Sequence, residues 1–266
     1  VSVDFEFKER YDIGDLVSVM ALLRGEGGCP WDRVQTHQSI RKNLIEETYE
    51  VVEAIDKDDS SMMKEELGDL LMQVLFHSEM EAEKGSFDFD DVCDGLCKKL
   101  ILRHPHVFGD VTANTPAEVL KNWDEIKKRE KGQDTATDTL LSVPKELPAL
   151  MRAEKLQHRA AKTGFDYPDA AGAMADLDSE VAELKEAVSE GDAAHIEEEL
   201  GDVLFSAVNV SRFVGADAEE ALTRSSEKFI RRFAKVESMA SGEGLDMHGK
   251  DMDELNRLWK AAKDSD

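Results

Sequence analysis

Two helical acid pairs that recur at one fixed spacing limit this chain more than any other feature. Glu46-Glu47-Thr48-Tyr49-Glu50 is followed, sixteen positions after Glu50, by Glu66-Leu67-Gly68-Asp69, with apolar residues at helical spacing between them. Residues three or four apart share a face of an α-helix, so Glu47 projects with Glu50 and Glu66 with Asp69. If the segment 56–61 turns the chain back, the helices run antiparallel and the four carboxylates converge. Such a cluster repels itself in a low-dielectric groove unless a cation sits inside it, and hard oxygen donors favour magnesium or manganese over zinc. The competing reading is two amphipathic helices with solvated acidic faces, the ordinary expectation in a chain this acidic.

Repetition decides between them. At a spacing of 133 residues, Glu47, Glu50, Glu66 and Asp69 meet Glu180, Glu183, Glu199 and Asp202, and only Glu46 is lost, to Ser179. Glu65-Glu66-Leu67-Gly68-Asp69 is matched letter for letter by Glu198-Glu199-Leu200-Gly201-Asp202. A glycine inside a helix costs about 1 kcal/mol relative to alanine, so its recurrence between the acids marks a place where something must approach the backbone closely. Solvated faces have no reason to repeat in register; duplication of a working unit does. The 266 residues divide into a first repeat at 1–131, a linker at 132–147 and a second repeat at 148–266, each repeat of ordinary domain size.

The formal net charge of −25, from 58 acids against 33 bases, argues against a nucleic-acid backbone or an anionic membrane surface as partner. Cys29, Cys93 and Cys97 are too few for a disulfide framework and suit a reducing cytosol; Cys93 and Cys97, four apart, are expected to face a helical core. No apolar run reaches the roughly 20 residues of a membrane span, and the acidic opening 1–15 lacks signal-peptide features, so a cytoplasmic, water-soluble protein is expected. No stretch of alternating β-branched residues competes with the helical periodicity, which makes the class all-α.

Along the chain, a short helix at 15–23 precedes a loop of constrained geometry, Gly25 to Asp32, with three glycines and a proline. Thr36 is read as the cap of the first acidic helix, which extends to about Lys57; the Gly68 helix spans about 60–84, with Leu67, Leu70, Leu71, Val74 and Leu75 as its apolar stripe. Helices at about 90–103 and 116–131 carry Lys99 with Arg103 and Trp123 with Lys127, each pair four apart. In the second repeat, helices at about 149–162, 170–189 and 193–214 lead to Lys228 with Arg232 and to Trp259 with Lys263, which echo those pairs. Arg152, Lys155 and Arg159 make a basic stripe. Core packing and base stacking are equally open for Trp31, Trp123 and Trp259. His104 and His106 flank Pro105 and could ligate a metal, though lone histidines at a helix end more often cap or pack, and His37, His158, His195 and His248 lack partners at ligand spacing and take no role.

Magnesium held by carboxylates neutralises phosphate oxygens, Lys and Arg clamp further phosphate charge, and an aromatic ring stacks on a base. That inventory suits a nucleoside triphosphate, in the absence of any GxxxxGK[ST] phosphate loop. The pattern Glu46-Glu47-x-x-Glu50 with Glu66-x-x-Asp69, together with Gly28-Cys29-Pro30-Trp31-Asp32, Gln35-Thr36-His37 and Arg103-His104-Pro105-His106-Val107-Phe108, resembles the MazG nucleoside triphosphate pyrophosphohydrolases of the all-α NTP pyrophosphatase superfamily, over nearly the whole chain. The resemblance implies two tandem four-helix repeats in a homodimer that uses Mg2+, with Mn2+ as a substitute, to hydrolyse ribo- and deoxyribonucleoside triphosphates to monophosphate and pyrophosphate. It implies that the second repeat is the hydrolytic one. Glu180, Glu183, Glu199 and Asp202 would hold metal, Lys228 and Arg232 the phosphates, and Trp259 and Lys263 the remaining nucleotide contacts. In the first repeat the matching sets are Glu47, Glu50, Glu66 and Asp69 for metal and Lys99, Arg103, Trp123 and Lys127 for substrate. Glu46, or Glu47, serves as base there; with Ser179 in place of the extra acid, the base of the second site stays open between Glu180 and a metal-activated water. Alternatives are a catalytically silent nucleotide-binding module and a base-selective, dUTPase-like pyrophosphatase.

Overall fold

A computed structural model describes residues 5–248 and 252–265; the opening four residues of the acidic N-terminal stretch lie outside this range. Among the described residues there are thirteen helices and no strand. The chain forms two compact units, Val1–Lys127 and Lys128–Asp266. In the first, α1 (Ile13–Arg24), α2 (Pro30–Arg33), α3 (Arg41–Asp56), α4 (Ser60–Ala82), α5 (Phe89–Arg103), α6 (Pro105–Phe108) and α7 (Pro116–Glu130) follow in order, the division falling inside α7. The second holds α8 (Ala136–Leu141), α9 (Ala149–Ala161), α10 (Ala170–Glu190), α11 (Ala193–Val214), α12 (Ala218–Gly242) and α13 (Met252–Asp264).

In each unit the most extensive helix pairing is the acidic one, α3 with α4 and α10 with α11. Both pairs turn the same way. Asp59 caps α4 by accepting from the N–H groups of Ser61 and Met62, and Asp192, 133 residues later, caps α11 through Ala194. The residue before each cap is left-handed: Asp58 at φ 52° in one turn and Gly191 at φ 78° in the other. Glycine enters that region without steric cost and aspartate is among the few residues that tolerate it.

A core cluster in the first unit joins Met20, Ile40, Leu75, Phe76 and Met80; one in the second joins Val236, Ala240, Leu258 and Ala262. The constrained loop after α1 serves this packing. A Cβ on Gly28 would stand 2.2 Å from the Leu22 carbonyl oxygen, so only glycine fits. Arg24, buried, donates to both carboxylate oxygens of Glu83 at 2.6 and 2.9 Å and to the carbonyls of Asp32 (2.6 Å) and Gln35 (3.3 Å), tying the loop to α4.

Four expectations change. Segment 132–147 is not a structureless linker: it carries α8, capped by a Thr135–Asp138 capping box and held to α9 by Arg159, which donates to the Thr139 carbonyl and, at 2.7 Å, to Ser142 Oγ. Thr36 does not cap the acidic helix. It closes a turn with Ser39 (3.2 and 2.9 Å), while α3 starts at Arg41 behind Ile40 with no side-chain cap. Cys93 and Cys97 are exposed rather than core-facing, because no residue of α5 is buried in the single chain. The apolar stripe of α4 divides: Leu75 is buried, but Leu67 and Val74 are exposed. No described helix is long and apolar enough to cross a membrane.

Candidate metal centre and adjoining cavity

Helical spacing and the antiparallel turn bring the acids together in both units. Glu47, Glu66 and Asp69 each place one carboxylate oxygen within 4.8 Å of the others, and so do Glu180, Glu199 and Asp202. Gly68 and Gly201 lie between the converging acids, and among the described residues a Cβ on either would meet nothing within 4 Å apart from its own helix backbone and chain neighbours. The strip beside the acids is open, and no contact of the described residues requires glycine at either position.

Like charge and partial burial act on these groups as expected. Removal from water, then the neighbouring Glu50 and Asp69 charges, push the Glu47 carboxyl above its ordinary value; removal from water and Glu50 do the same to Glu66. Glu180 is raised by removal from water, then by Glu183, Asp176, Asp202 and Glu199. Glu199 is the most telling member: it is only 8% exposed, and its Oε2 is fully buried without a hydrogen-bond partner. A buried carboxylate oxygen left unsatisfied costs on the order of 1–3 kcal/mol or more, and a divalent cation bound by the three oxygens removes that penalty. The donor set, all carboxylate oxygen, fits magnesium or manganese.

The remaining acids stand at the edge of these triads. Glu50 and Glu183 are exposed; Glu183 accepts from Ser179 Oγ at 3.1 Å, while Glu46 pairs with Lys42 at 2.9 Å on the outside of α3 rather than with the cluster. The basic and aromatic residues divide likewise. Arg103 stacks on Trp123, its guanidinium carbon 5.3 Å from the ring centroid, and Lys99 lies exposed on α5. Lys127 follows one turn after Trp123 on α7. In the second unit Trp259 rests against Phe229, ring centroids 5.3 Å apart, beside the core cluster, so packing accounts for it; Lys228 and Lys263 are exposed and Arg232 is half-buried. Trp31 is 58% exposed and belongs to neither core.

Several residues without an expected role take one here. His195 Nε2 lies 3.2 Å from Glu199 Oε1 and its Nδ1 3.3 Å from Glu190, and these carboxylates, Glu190 first, raise its pKa. The i, i+4 spacing of His195 and Glu199 was the available signal. His37 sets its Nδ1 2.7 Å from that of His77 and its Nε2 2.6 Å from Glu81, fastening the loop before α3 to α4. His104 packs edge-on against Trp123, the packing role expected of it.

A cavity of about 640 Å³ opens beside the second triad, with Glu180 and Asp202 in its wall. Its other walls come from α8, α9, the 164–167 turn, α10 and α11. Tyr167 and Asp176 line it together, the carboxylate beside the phenol holding the tyrosine proton on with a pKa of about 12. Arg212 is held in the wall by Asp166 (Nη1 at 3.0 Å) and by Asn209 Oδ1 at 2.9 Å.

The tandem helical units define an all-α class in which each unit gathers a carboxylate triad that could hold a divalent cation. The profile of the MazG nucleotide pyrophosphohydrolase domain matches residues 35–108 and again 170–236, over α3 to α6 and α10 to α12. The chain is 44% identical over 252 residues to the nucleoside triphosphate pyrophosphohydrolase/pyrophosphatase MazG of Thermotoga maritima, covering 95% of this chain and 96% of that protein. It is 43% identical over 256 residues to the nucleoside triphosphate pyrophosphohydrolase of Escherichia coli, covering 94% and 97%. A 46% identity over 251 residues relates it to YabN of Bacillus subtilis, of which 51% is covered. The chain belongs to the MazG family.

Proposed function

We propose that this protein hydrolyses ribo- and deoxyribonucleoside triphosphates at the α–β phosphoanhydride, releasing nucleoside monophosphate and pyrophosphate. The observation that carries this reading is the partnerless, buried Glu199 oxygen within a carboxylate triad that borders a cavity of ligand size. The names of the relatives in Thermotoga maritima and Escherichia coli support the substrate class. Mg2+, or Mn2+ in its place, would be held by Glu180, Glu199 and Asp202, with Glu183 at the edge; when bound it neutralises phosphate oxygens and acidifies water. Lys228 and Arg232 would take further phosphate charge, and Lys263 the last of it, with Trp259 steadying α13 against α12. For the base, the candidates are Glu180, accepting a proton from the attacking water, and a water that the cation itself would acidify.

The second repeat is proposed as the hydrolytic one, and the first, with Glu47, Glu66 and Asp69, as a cation site that supports the architecture. A homodimer accounts for the apolar side chains that single units leave exposed, among them Leu96 and Ile101 on α5 and Phe229 and Ile230 on α12. Three free cysteines fit a cytoplasmic setting. Incubation with a triphosphate and Mg2+, followed by product identification, tests the chemistry: monophosphate and pyrophosphate are expected, whereas diphosphate and orthophosphate would refute α–β cleavage.

A further inference from the structure

A cluster of ionisable groups lies apart from both triads, where the segment 35–40 meets α4. His37 Nδ1 stands 2.7 Å from His77 Nδ1, the ring planes are within 3° of parallel and the centroids are 5.0 Å apart. The nitrogen gap and the two ring radii together make up that centroid distance, so the rings lie edge to edge in one plane, the geometry of a straight N–H···N hydrogen bond. Two nitrogens this close hold a single proton between them: two protons collide, and none leaves facing lone pairs. The outer nitrogens fix which way the bond runs. His37 Nε2 lies 2.6 Å from Glu81 Oε1, and Glu81, held down to about 2 by Lys84 and by His37 itself, is ionised and can only accept. With both rings uncharged, His37 therefore donates through Nε2 and accepts at Nδ1, and His77 donates through Nδ1. That leaves His77 Nε2 as a bare nitrogen, fully buried with no hydrogen-bond partner.

A further proton has no good place on this pair. Between the rings it meets the proton already there; on His77 Nε2 it becomes a buried donor without an acceptor, on a ring that then carries a charge beside His37. Burial first, and then the charge of His37, accordingly push the His77 ring below its ordinary value. The charged groups in contact with the pair are Glu81 and Lys84, whose ammonium lies 3.2 Å from His37 Nε2 and 2.6 Å from Glu81. On the helices packed against α4, Arg24 of α1 is bound to Glu83, Lys42 and Glu46 of α3 bind each other, and so do Lys98 and Asp94 of α5. In the second unit, positions 133 residues on from His37, His77 and Glu81 hold Ala170, Val210 and Val214, none of which titrates.

We infer that His37 and His77 form an acid-sensitive latch, present in the first unit alone, that holds the segment entering α3 against α4 while one proton lies between the rings and releases it when the pair takes up another. The segment carries Ile40 of the core cluster and leads directly into α3, the helix of Glu47, so release loosens the approach to the first triad and spares the second. The latch stands whether or not the protein hydrolyses triphosphates. Its contribution is full above the ordinary histidine value of 6.5 and is lost as the pH falls through that value and the lower one of the folded protein.

Amide hydrogen exchange on the whole chain, expressed as protection factors so that the intrinsic pH dependence of exchange drops out, reads the latch directly. Between pH 7.5 and about pH 5.5, protection across 37–45 should fall about tenfold, because each pH unit below the free histidine value favours the open, protonated form by that factor, while protection across 170–178 should change less than about threefold. The His37→Phe/His77→Phe variant keeps two flat rings and removes the titrating nitrogens, so its loss across 37–45 should shrink to that of 170–178. Ring-carbon NMR of the wild-type protein supplies a second readout that needs no variant: His77 should stay neutral at about pH 6, where a free histidine is mostly charged. Independent titration of both rings near 6.5 with protection across 37–45 intact overturns the latch. So does an equal loss of protection in the two units, or an undiminished loss in the folded double variant. If that variant does not fold, the NMR titration and the comparison of units in the wild-type protein decide by themselves.

Discussion

The two acidic helix pairs share a turn, a cap and a glycine between the acids, yet they differ in what surrounds them. In the first unit all three converging acids are half-buried. In the second, Glu199 is sunk below the surface with an oxygen that finds no hydrogen-bond partner among the described residues, while Asp202 lies exposed beside a cavity. The neighbours differ too. Position 62, one turn before Glu66, is methionine, whereas the matching position in the second unit is His195, in contact with Glu199. Where the first unit has its Trp31 loop, held down by Arg24 on Glu83, the second has the Tyr167 turn, held by Arg212 on Asp166 and facing the cavity. One duplicated scaffold thus carries a half-buried triad in the first unit and, in the second, a triad with one buried acid and a cavity beside it. The lesson is that an identical ligand motif does not make an equivalent site; the burial of one ligand and the void next to it do.

The sharpest way to break this comparison is to remove matching ligands. Glu199→Gln should lower triphosphate turnover at least about 100-fold, since a ligand counts for more than the partners around it, whose loss alone costs 10- to 100-fold. Glu66→Gln in the first unit should change turnover by less than about threefold. Equal losses in steady-state kinetics would show that both units work.

A smaller effect separates His195 from Met62. His195, its proton affinity raised by Glu190 and Glu199, is charged in mild acid and then competes with a cation for Glu199. His195→Ala should therefore flatten the fall in Mn2+ affinity between neutral pH and about pH 5.5, read by titration calorimetry, and Met62→Ala should leave that slope alone.

The acids themselves add a pH dependence. Glu180, Glu47 and Glu66 have raised pKa values in the folded protein, so the proton-linked stability they contribute is full below their unfolded values and is lost as pH rises through the folded ones. A cation replaces the lost protons. The rise in Tm on adding Mg2+ should accordingly be larger near neutral pH than at about pH 5, and an equal rise at both would show that these groups do not meet the ion. Glu81 runs the other way: Lys84 and His37 hold it down to about 2, so its contribution is present above the ordinary carboxylate range and disappears only in strong acid.

The smallest test concerns the matching turns. Gly191→Ala forces a side chain into φ 78° and should cost about 1–2 kcal/mol of stability in denaturant unfolding. Asp58→Gly, in the turn that already tolerates aspartate, should change stability by less than about 1 kcal/mol.

Local periodicity made the long helices, the duplication and the convergence of six carboxylates legible from the residues alone, because each depends on spacings of three or four. What needed the folded chain was long-range or contextual. Asp166 and Arg212 pair across 46 residues, and Gln157 and Phe205 across 48, so the cavity has no local signature. The helix at 136–141 is too short to show a period. Cys93 and Cys97 on α5 have the spacing of a core-facing pair and are exposed, because burial depends on what packs against a helix and not on the spacing along it. His195 has no partner at metal-ligand spacing in the sequence, and its contact is with a carboxylate one helical turn away, Glu199.

The central claim is that Glu180, Glu199 and Asp202 hold a divalent cation next to the bound nucleotide, and it is tested most directly by locating Mn2+ through its anomalous scattering in crystals grown with a non-hydrolysable triphosphate. The account predicts a peak at bonding distance from an oxygen of each of the three carboxylates, with the nucleotide's phosphates on its open side. Saturating Mn2+ that leaves those carboxylates apart, with no peak between them, would contradict it.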